Sequence, residues 1–379
     1  MNRIAFFSIV ALVFLGISCA EDTGGSSAFD SEAVTLATGT TMLTTGSTDF
    51  KRPSADSRGR HIVYVSGNVL YLYDVKTEIS SIIAASGVDD ASISSSGKFV
   101  AFSSDADPLG TNADGNVEIF RYDVDAATTT QITETTSGDS EKPSINKKAT
   151  WIAFISDADL TGSNADGSQE LFLYDVAGDA FTQVTSAGTG DSSDNPVILP
   201  NGRYVYFDSD ADLTGTNTDG NREIFRYAVT GASTQQLTST TSGDSSRPSP
   251  SNSGKFVAFE SDSDQLSGTN SDGEKEIYRL KISNASLRRI TDYAFASTRG
   301  CISGNGRYVA FGSSGDPLGS NSDGSSELFL VKVKKTTLDL TQITSGATGT
   351  DSTRSVLNNA GKRVFFQSDA DLTGAGAGF

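Results

Sequence analysis

Short apolar runs alternate along the chain with stretches rich in Gly, Asn, Asp and Ser. One period of this pattern contains four such runs, over residues 143–145, 151–154, 171–176 and 182–185. Short runs of this kind, separated by turn-forming residues, are typical of antiparallel strands joined by tight turns. No stretch has the spacing of an amphipathic helix. The pattern therefore predicts that each period is a four-stranded meander.

The period itself is marked by an Asp-rich segment whose fullest copy spans residues 209–227, with further copies beginning at Ser104, Ser156, Ser261, Ser313 and, truncated, at Ser368. Repetition at a regular interval indicates a repeat architecture. One aromatic residue ends the predicted second strand of each unit: Tyr64, Phe102, Phe154, Phe207, Phe259, Phe311 and Phe366. Seven units are therefore expected.

The two ends of the chain suggest how the array closes. The last unit stops before its third and fourth strands, whereas residues 33–37 and 41–44 resemble those two strands. Sharing one sheet between the termini would leave no open edge between the first and last units. The sequence thus predicts an all-β fold over residues 32–379, a closed β-propeller of seven four-stranded blades whose last blade is completed by N-terminal strands.

Residues 1–19 are interpreted as an export signal, because a basic Arg3 precedes an apolar run over residues 4–17 that is too short to span a bilayer. Two ways of processing the end of this signal remain open. Cys19 fits a lipoprotein-like lipidation site, although Gly16 stands where that pattern prefers Leu. Ordinary cleavage at small residues fits as well. Residues 20–31 form an acidic Gly/Ser tether, so we expect an exported protein, held in the cell envelope or secreted.

The charge and the cysteine content of the chain limit the kinds of partner and of stabilising bond that we expect. The net charge of -18 argues against nucleic acid as a partner, and contact with a membrane is expected only through a lipid anchor. Besides Cys19 the chain has one cysteine, Cys301, so disulfides are not expected to stabilise it. We expect a monomer that binds an envelope protein, a peptide or a glycan.

The repeat resembles a known family in residues 244–249, Asp-Ser-Ser-Arg-Pro-Ser, and in the run Ser-Gly-Lys-Phe-Val-Ala-Phe over residues 253–259. These motifs look like the WD40-like propeller repeat of TolB-type periplasmic proteins. The resemblance covers residues 32–379 and implies the propeller fold. The chain departs from TolB by lacking a separate N-terminal α/β domain and by carrying the Asp-rich loop. A role in envelope translocation is therefore not implied.

The Asp-rich loop is the first candidate site. One copy supplies five oxygen-bearing side chains, Asp157, Asp159, Asn164, Asp166 and Glu170, of the kind that calcium prefers. Their spacing differs from that of an EF-hand, and Asp, Asn and Gly also build turns by hydrogen bonding to the backbone. The structural interpretation is favoured, with calcium as the one possible cofactor.

The second candidate lies at the start of each first strand, which borders the central channel in propellers of the resembled type. Five of the seven equivalent positions are cationic: Arg52, Lys142, Arg247, Arg299 and Arg354; the other two are Asp90 and Asn195. A ring of cations could hold a carboxylate or phosphate. Alternatively, the cations pair with neighbouring aspartates such as Asp191, Asp244 and Asp351.

Catalytic chemistry has less support. His61 is the only histidine and occupies a position where other units carry an aromatic residue, while Cys301 is expected to be a small packing residue. A serine nucleophile would therefore have no evident base. We expect a non-catalytic binding scaffold that presents its faces and channel to a ligand. The alternative is a propeller enzyme resembling a polysaccharide lyase or hydrolase, using loop carboxylates and possibly calcium.

Overall fold

The computed structural model describes residues 9–14, 40–42, 50–265, 270–346, 349–369 and 372, and within these ranges it describes side chains from residue 53 onward. Cys19 and the predicted tether over residues 20–31 lie outside the described residues. The export signal, the lipidation site and the tether therefore remain predictions. No helix in the described part of the chain is long and apolar enough to cross a membrane.

The described chain is built from 28 strands, which form sheets of four. The N-terminal strands are β1 (Ile9–Phe14) and β2 (Thr40–Met42). Blade 1 consists of β3 (Phe50–Ala55), β4 (His61–Ser66), β5 (Val69–Asp74) and β6 (Ile79–Ala84). Blade 2 consists of β7 (Val88–Ile93), β8 (Phe99–Ser104), β9 (Glu118–Asp123) and β10 (Thr128–Gln131). Blade 3 consists of β11 (Ser140–Ile145), β12 (Trp151–Ser156), β13 (Glu170–Asp175) and β14 (Ala180–Gln183).

Blade 4 consists of β15 (Ser193–Ile198), β16 (Tyr204–Ser209), β17 (Glu223–Ala228) and β18 (Ser233–Gln236). Blade 5 consists of β19 (Ser245–Pro250), β20 (Phe256–Ser261), β21 (Glu276–Lys281) and β22 (Ser286–Arg289), with a 3-10 turn over Ile282–Asn284. Blade 6 consists of β23 (Ser297–Ile302), β24 (Tyr308–Ser313), β25 (Glu327–Val333) and β26 (Leu338–Gln342). The last strands are β27 (Ser352–Leu357) and β28 (Arg363–Ser368).

The structure has six blades that are meanders of consecutive strands, so the prediction of seven blades is wrong. The remaining strands form a composite sheet in the order β2-β1-β28-β27. Its third strand is β1, which pairs with β28 along its whole length from Ile9↔Ser368 to Phe14↔Arg363. Residues 33–37, for which the pattern indicated this place, lie outside the described residues. The physical reason for the pairing of β1 is that any apolar extended segment can satisfy the edge of β28, and β1 is more apolar than residues 33–37.

The first strand of each sheet contacts the first strand of the next sheet around the whole ring, from β3 through β7, β11, β15, β19, β23 and β27 back to β3. These strands therefore surround a central channel. The composite sheet packs on blade 6 through Phe366 and on blade 1 through Phe365.

Each of the six blades contains a stacked pair of aromatic rings, one on its second strand and one on its third. Ring centroids are 5.1 to 5.8 Å apart in the pairs Tyr64–Tyr71, Phe102–Phe120, Phe154–Phe172, Phe207–Phe225, Phe259–Tyr278 and Phe311–Phe329. Stacked rings of this kind add about 0.5 to 1.5 kcal/mol beyond the area that they bury. The predicted aromatic markers thus lie in the second strands, as the repeat indicated.

The pairing of β1 with β28 generates a prediction about chain length. In a chain that lacks residues 1–19, the edge of β28 that β1 covers would be open to water, because β1 is the partner on that side among the described residues. We expect the backbone amide groups of Arg363–Ser368 to exchange with deuterium faster in this shortened chain than in the full chain. The amides of Tyr308–Ser313, the second strand of blade 6, provide the internal control. Equal protection in both chains would mean that another segment takes the place of β1.

Candidate ligand-binding site at the mouth of the channel

The innermost strands share an irregularity at the predicted cationic positions. In each sheet the register between the first and second strand shifts at this point, as in a β-bulge. The residue at the shift has a left-handed backbone at Lys142 (φ 53), Asn195 (φ 50), Arg247 (φ 55), Arg299 (φ 56) and Arg354 (φ 52). A non-glycine residue held in this region costs about 1 to 3 kcal/mol, and such residues cluster at functional sites.

The bulges bring these side chains together. Lys142, Asn195, Arg247, Arg299 and Arg354 line one cavity of about 240 Å³ at the channel, and Asp90 lines it as well. The backbone of Arg52 lies in β3 at the equivalent position, but its side chain is outside the described set. Four of the five predicted cationic side chains thus line one cavity, and their role in binding a ligand stays a prediction.

Two buried carboxylates hold the bulges of the neighbouring blades. Asp208 Oδ2 accepts a hydrogen bond from the backbone N–H of Arg247 at 2.9 Å, and Glu260 Oε2 accepts one from the backbone N–H of Arg299 at 2.7 Å. Asp208 is 0% exposed and Glu260 is 1% exposed. A carboxylate of one blade thus fixes the strained residue of the next.

Both carboxylates also have cationic partners. Asp208 Oδ1 lies 2.7 Å from Arg222 Nη1, and Glu260 Oε1 lies 3.1 Å from Arg247 Nη1 and 3.4 Å from Lys275 Nζ. Sequence reasoning missed this group. The available signal was the residue directly after the aromatic marker, which is charged only after Phe207 and Phe259.

The charge around the mouth is uneven. Lys142 donates to Asp194 Oδ1 at 2.9 Å. Burial lowers the pKa of Lys142, but that hydrogen bond and the negative charges of Asp194, Glu141 and Asp90 outweigh it, so the pKa is raised. Lys142 is thus surrounded by acids. The other three described cations, Arg247, Arg299 and Arg354, lie on consecutive sheets, and we call them the arginine arc.

The aspartates proposed as alternative partners have other roles. Asp244 accepts from the backbone N–H of Arg222 at 2.9 Å, and Asp351 accepts from the backbone N–H of Ser326 at 2.9 Å. Two of the cations pair with other acids: Lys142 with Asp194 and Arg247 with Glu260. They join residues of different blades or strands, which explains why proximity in sequence did not reveal them.

The buried Asp208 has a raised pKa of about 6. Burial is the largest cause; the charge and hydrogen bond of Arg222 lower the pKa, the charge of Asp194 raises it, and the hydrogen bond from the Arg247 amide lowers it. Asp208 therefore gains or loses its proton within a mildly acidic range, next to the arginine arc.

The two residues considered for catalysis have other surroundings. His61 begins β4, where Phe99 begins β8, and its ring nitrogens lie 3.5 Å from Asp56 and 3.4 Å from Asp74. Cys301 lines the channel cavity next to the arginine arc, and its Sγ lies 3.4 Å from Ser355 Oγ. Burial raises the pKa of this thiol to about 11, which leaves it protonated at neutral pH.

The polar atoms of the Asp-rich loop bond within the loop and to neighbouring segments; Asp157 Oδ1, for example, accepts from the backbone N–H of Asp139 at 2.6 Å. Asp159 Oδ1 accepts from the backbone N–H of Asn164, and Asn164 Nδ2 donates to three backbone carbonyls, those of Asp157, Ala158 and Ser168. The side-chain oxygens of Asn164, Asp166 and Glu170 all lie about the Ser168 hydroxyl, at 3.2, 3.0 and 3.0 Å. A serine hydroxyl thus occupies the point where these oxygens converge.

The glutamate that ends each loop is a buried anchor. Glu118, Glu170, Glu223, Glu276 and Glu327 are at most 1% exposed. In blade 4, Glu223 Oε1 accepts from the backbone N–H and the hydroxyl of Thr240 at 2.5 and 2.8 Å, which ties the loop to the segment after the fourth strand. Among the described residues no cluster of three or more acidic, histidine or cysteine side chains is suited to a metal. The candidate carboxylates Asp157, Asp159 and Glu170 already accept hydrogen bonds in this arrangement, and calcium binding stays a prediction.

No family model matches the chain, and no curated protein matches its sequence. Among solved structures, the putative TolB from Agrobacterium tumefaciens is 16% identical with a TM-score of 0.50, over 76% of this chain and 89% of that chain. An oligogalacturonate lyase from Vibrio parahaemolyticus is 13% identical with a TM-score of 0.56, over 78% and 81%.

A third similar structure is dipeptidyl peptidase 4 from Porphyromonas gingivalis, 14% identical with a TM-score of 0.51 over 87% of this chain. This chain spans 51% of that enzyme. At such identities the likeness defines the fold alone: the chain has a β-propeller fold similar to that of TolB. Because both TolB and enzymes share this fold, binding and catalysis both remain open.

The pKa of Asp208 predicts a pH dependence of stability. An aspartate in an unfolded chain has a pKa of about 3.9, so between that value and the folded value of about 6 the folded protein binds more protons than the unfolded chain. The free energy of unfolding contributed by this group is therefore highest below the window and falls as pH rises through it.

The variant Asp208→Asn removes this titration. From pH 4 to pH 7 we expect the free energy of unfolding of the parent to fall relative to that of the variant by about 1 to 3 kcal/mol, measured by urea unfolding at each pH. Asp219→Asn, at an exposed loop position of the same blade, is the matched control. A constant difference between parent and Asp208→Asn would contradict the assignment.

The anchoring role of Glu223 predicts a large loss of stability on truncation. Glu223→Ala leaves the half-buried donors of Thr240 without their acceptor and removes a buried side chain, so we expect a loss of about 1 to 3 kcal/mol, against a smaller loss for Glu223→Gln. Asp219→Ala in the same loop is exposed and should be near neutral.

Thermal melts of the parent protein with millimolar calcium or with chelator should coincide. A higher melting temperature with calcium would support a metal site instead.

Proposed function

We propose that the protein is a non-catalytic binding protein of the cell envelope and that the mouth of its channel binds the anionic group of a peptide ligand. The observation that carries this proposal is the left-handed backbone at the cationic positions lining one cavity. The fold tolerates small or neutral residues at these points, as Asn195 shows. Strain retained at cationic residues is explained best by a ligand that needs their charge.

The arginine arc sets the chemistry of the ligand. Guanidinium groups hold carboxylates and phosphates through pairs of parallel hydrogen bonds. Arg247 shares the single carboxylate Glu260 with Lys275, so this part of the mouth keeps positive charge after its internal pairing. The opposite part, around Lys142, is compensated by acids. An acidic side chain or a chain terminus of the ligand would thus lie against the arc.

The location in the envelope is part of the proposal. It is supported by the predicted export signal over residues 1–19, and by the likeness of the fold to TolB. Anchoring through Cys19 would hold the propeller at a membrane surface while leaving the mouth accessible. Ordinary cleavage would release the propeller into the surrounding compartment, and cleavage of either kind would remove β1 from the composite sheet. The ligand would be an exported protein or peptide in either case.

The expected result is a loss of binding when the arc is removed. Arg247→Ala combined with Arg299→Ala should raise the Kd for an acidic peptide roughly tenfold, about 1.4 kcal/mol, and should reduce its salt dependence. Fluorescence anisotropy with acidic peptides and a phosphosugar panel, at low and physiological salt, measures this effect. Lys255→Ala combined with Arg307→Ala removes the same charge from exposed positions of the same two blades and should leave the Kd unchanged.

Two results would contradict the proposal: no binding by the parent at either salt concentration, or the same Kd for the parent and the double variant. A matching melting temperature for both double variants would show that the fold is retained. Binding of an oligosaccharide rather than a peptide would keep the site and change the ligand class.

The second candidate function is a propeller enzyme acting on an anionic polysaccharide. It is supported by the fold likeness to the oligogalacturonate lyase, because an arc of arginines would also suit a chain of uronates. Against it, both candidate carboxylates already accept hydrogen bonds: Asp159 from the backbone N–H of Asn164 within its loop, and Glu170 from the backbone N–H of Ala187 after the fourth strand. Incubation with oligogalacturonate, followed by detection of unsaturated products, separates the two functions. Product formed by the parent and lost in Arg247→Ala with Arg299→Ala would favour the enzyme.

A further inference from the structure

Three blades carry an arginine on the third strand that covers the aromatic ring at the start of the second strand. The guanidinium carbon lies 6.0 Å from the ring centroid for Arg121 over Phe99, 4.8 Å for Arg226 over Tyr204 and 3.7 Å for Arg279 over Phe256. This cation–π contact is thus a repeated structural element, and by itself it indicates no ligand.

Blade 5 differs from the other two in the residue that faces this arginine on the fourth strand. Arg121 faces Thr130, and Arg226 faces Gln235, whose Oε1 accepts from Arg226 Nε at 2.9 Å. Arg279 instead faces Arg288. Like charges directly opposite one another on adjacent strands are destabilising. Blades 2 and 4 therefore have a neutral residue opposite the stacked arginine, whereas blade 5 has a second arginine.

The arginine pair lies in a groove of about 330 Å³ between blades 5 and 6, on the outer part of the ring. Lys281, Lys334 and Lys335 line the same groove, which therefore collects five cations in a protein whose net charge is -18. The one carboxylate paired with this group is Asp339, 2.7 Å from Lys334 Nζ. Within the described structure, no carboxylate forms an ion pair with Arg279 or Arg288.

The geometry holds the guanidinium groups in place. Arg288 Nη1 donates to the backbone carbonyl of Lys334 at 2.5 Å, which links the two blades, and Phe256 supports one face of Arg279. Arg279 Nε is buried and has no hydrogen-bond partner among the described residues. Burial, and then the charge of Arg288, lower the pKa of Arg279 to about 10. The positive charge here is therefore desolvated and uncompensated.

We propose that this groove is an anion-binding site, separate from the channel, for a tetrahedral oxyanion such as a phosphate or sulfate group. Two guanidinium groups with flanking ammonium groups match the several oxygens and multiple charge of such a group. The anion would replace the missing partner of Arg279 and remove the repulsion between Arg279 and Arg288. The same chemistry is presented by the free ion and by a phosphate ester.

The test converts blade 5 into the arrangement of blade 4. Arg288→Gln would place a neutral acceptor opposite Arg279, as Gln235 lies opposite Arg226. In chloride, this variant should melt no lower than the parent. Inorganic phosphate at equal ionic strength should raise the melting temperature of the parent, and Arg288→Gln should weaken that response at least tenfold in apparent Kd.

Two further variants assign the site. Arg226→Gln removes the equivalent stacked arginine from blade 4 and should leave the phosphate response intact. Arg247→Ala with Arg299→Ala should also retain it, which separates this groove from the channel. Titration with glucose 6-phosphate beside inorganic phosphate distinguishes an ester from the free ion, and the NMR resonance of Arg279 Nε–H should shift on binding. No phosphate response in the parent, or an equal response in Arg288→Gln, would overturn the proposal.

Discussion

Each blade of this protein is apolar on both faces, and this constraint organises the whole molecule. A sheet that is buried on both sides cannot be stable alone, so each one needs a neighbour on either face. The core between blades 3 and 4, for example, combines Ile155 and Leu171 with Val205 and Phe225. The composite sheet meets the same need at the join, with Phe365 packed on blade 1 and Phe366 packed on blade 6.

The same constraint determines where function can vary. The second and third strands must keep their stacked aromatic rings, whereas the first strand touches its neighbours at the channel and the fourth strand lies outside. At the channel, the bulge turns one residue of each first strand toward the axis, and buried Asp208 and Glu260 hold the bulges of the next blades. The charge of these bulge residues can differ between blades without disturbing the core. The arginine arc is one such difference.

The fourth strands, on the outside of the ring, can also differ in charge between blades. In three blades, one residue of the fourth strand lies opposite the repeated stack of an arginine on an aromatic ring. These residues are Thr130, Gln235 and Arg288. The first two are neutral, and only the third creates a concentration of positive charge. Both candidate sites therefore arise where single blades depart from the repeat, while the repeat itself explains the fold.

The sequence alone determined the repeat, the four strands of each blade, the aromatic markers and the positions that meet at the channel, because these follow from periodic patterns within about fifty residues. It also favoured a turn-building role for the Asp-rich loops. Only the tertiary structure decided that there are six blades and a composite sheet, since β1 pairs with β28 across nearly the whole chain. The partners of Lys142 and Arg247, and the pairing of Arg279 with Arg288, likewise depended on contacts across blades or strands. Local spacing carries no information about such contacts, because they are set by how neighbouring sheets pack.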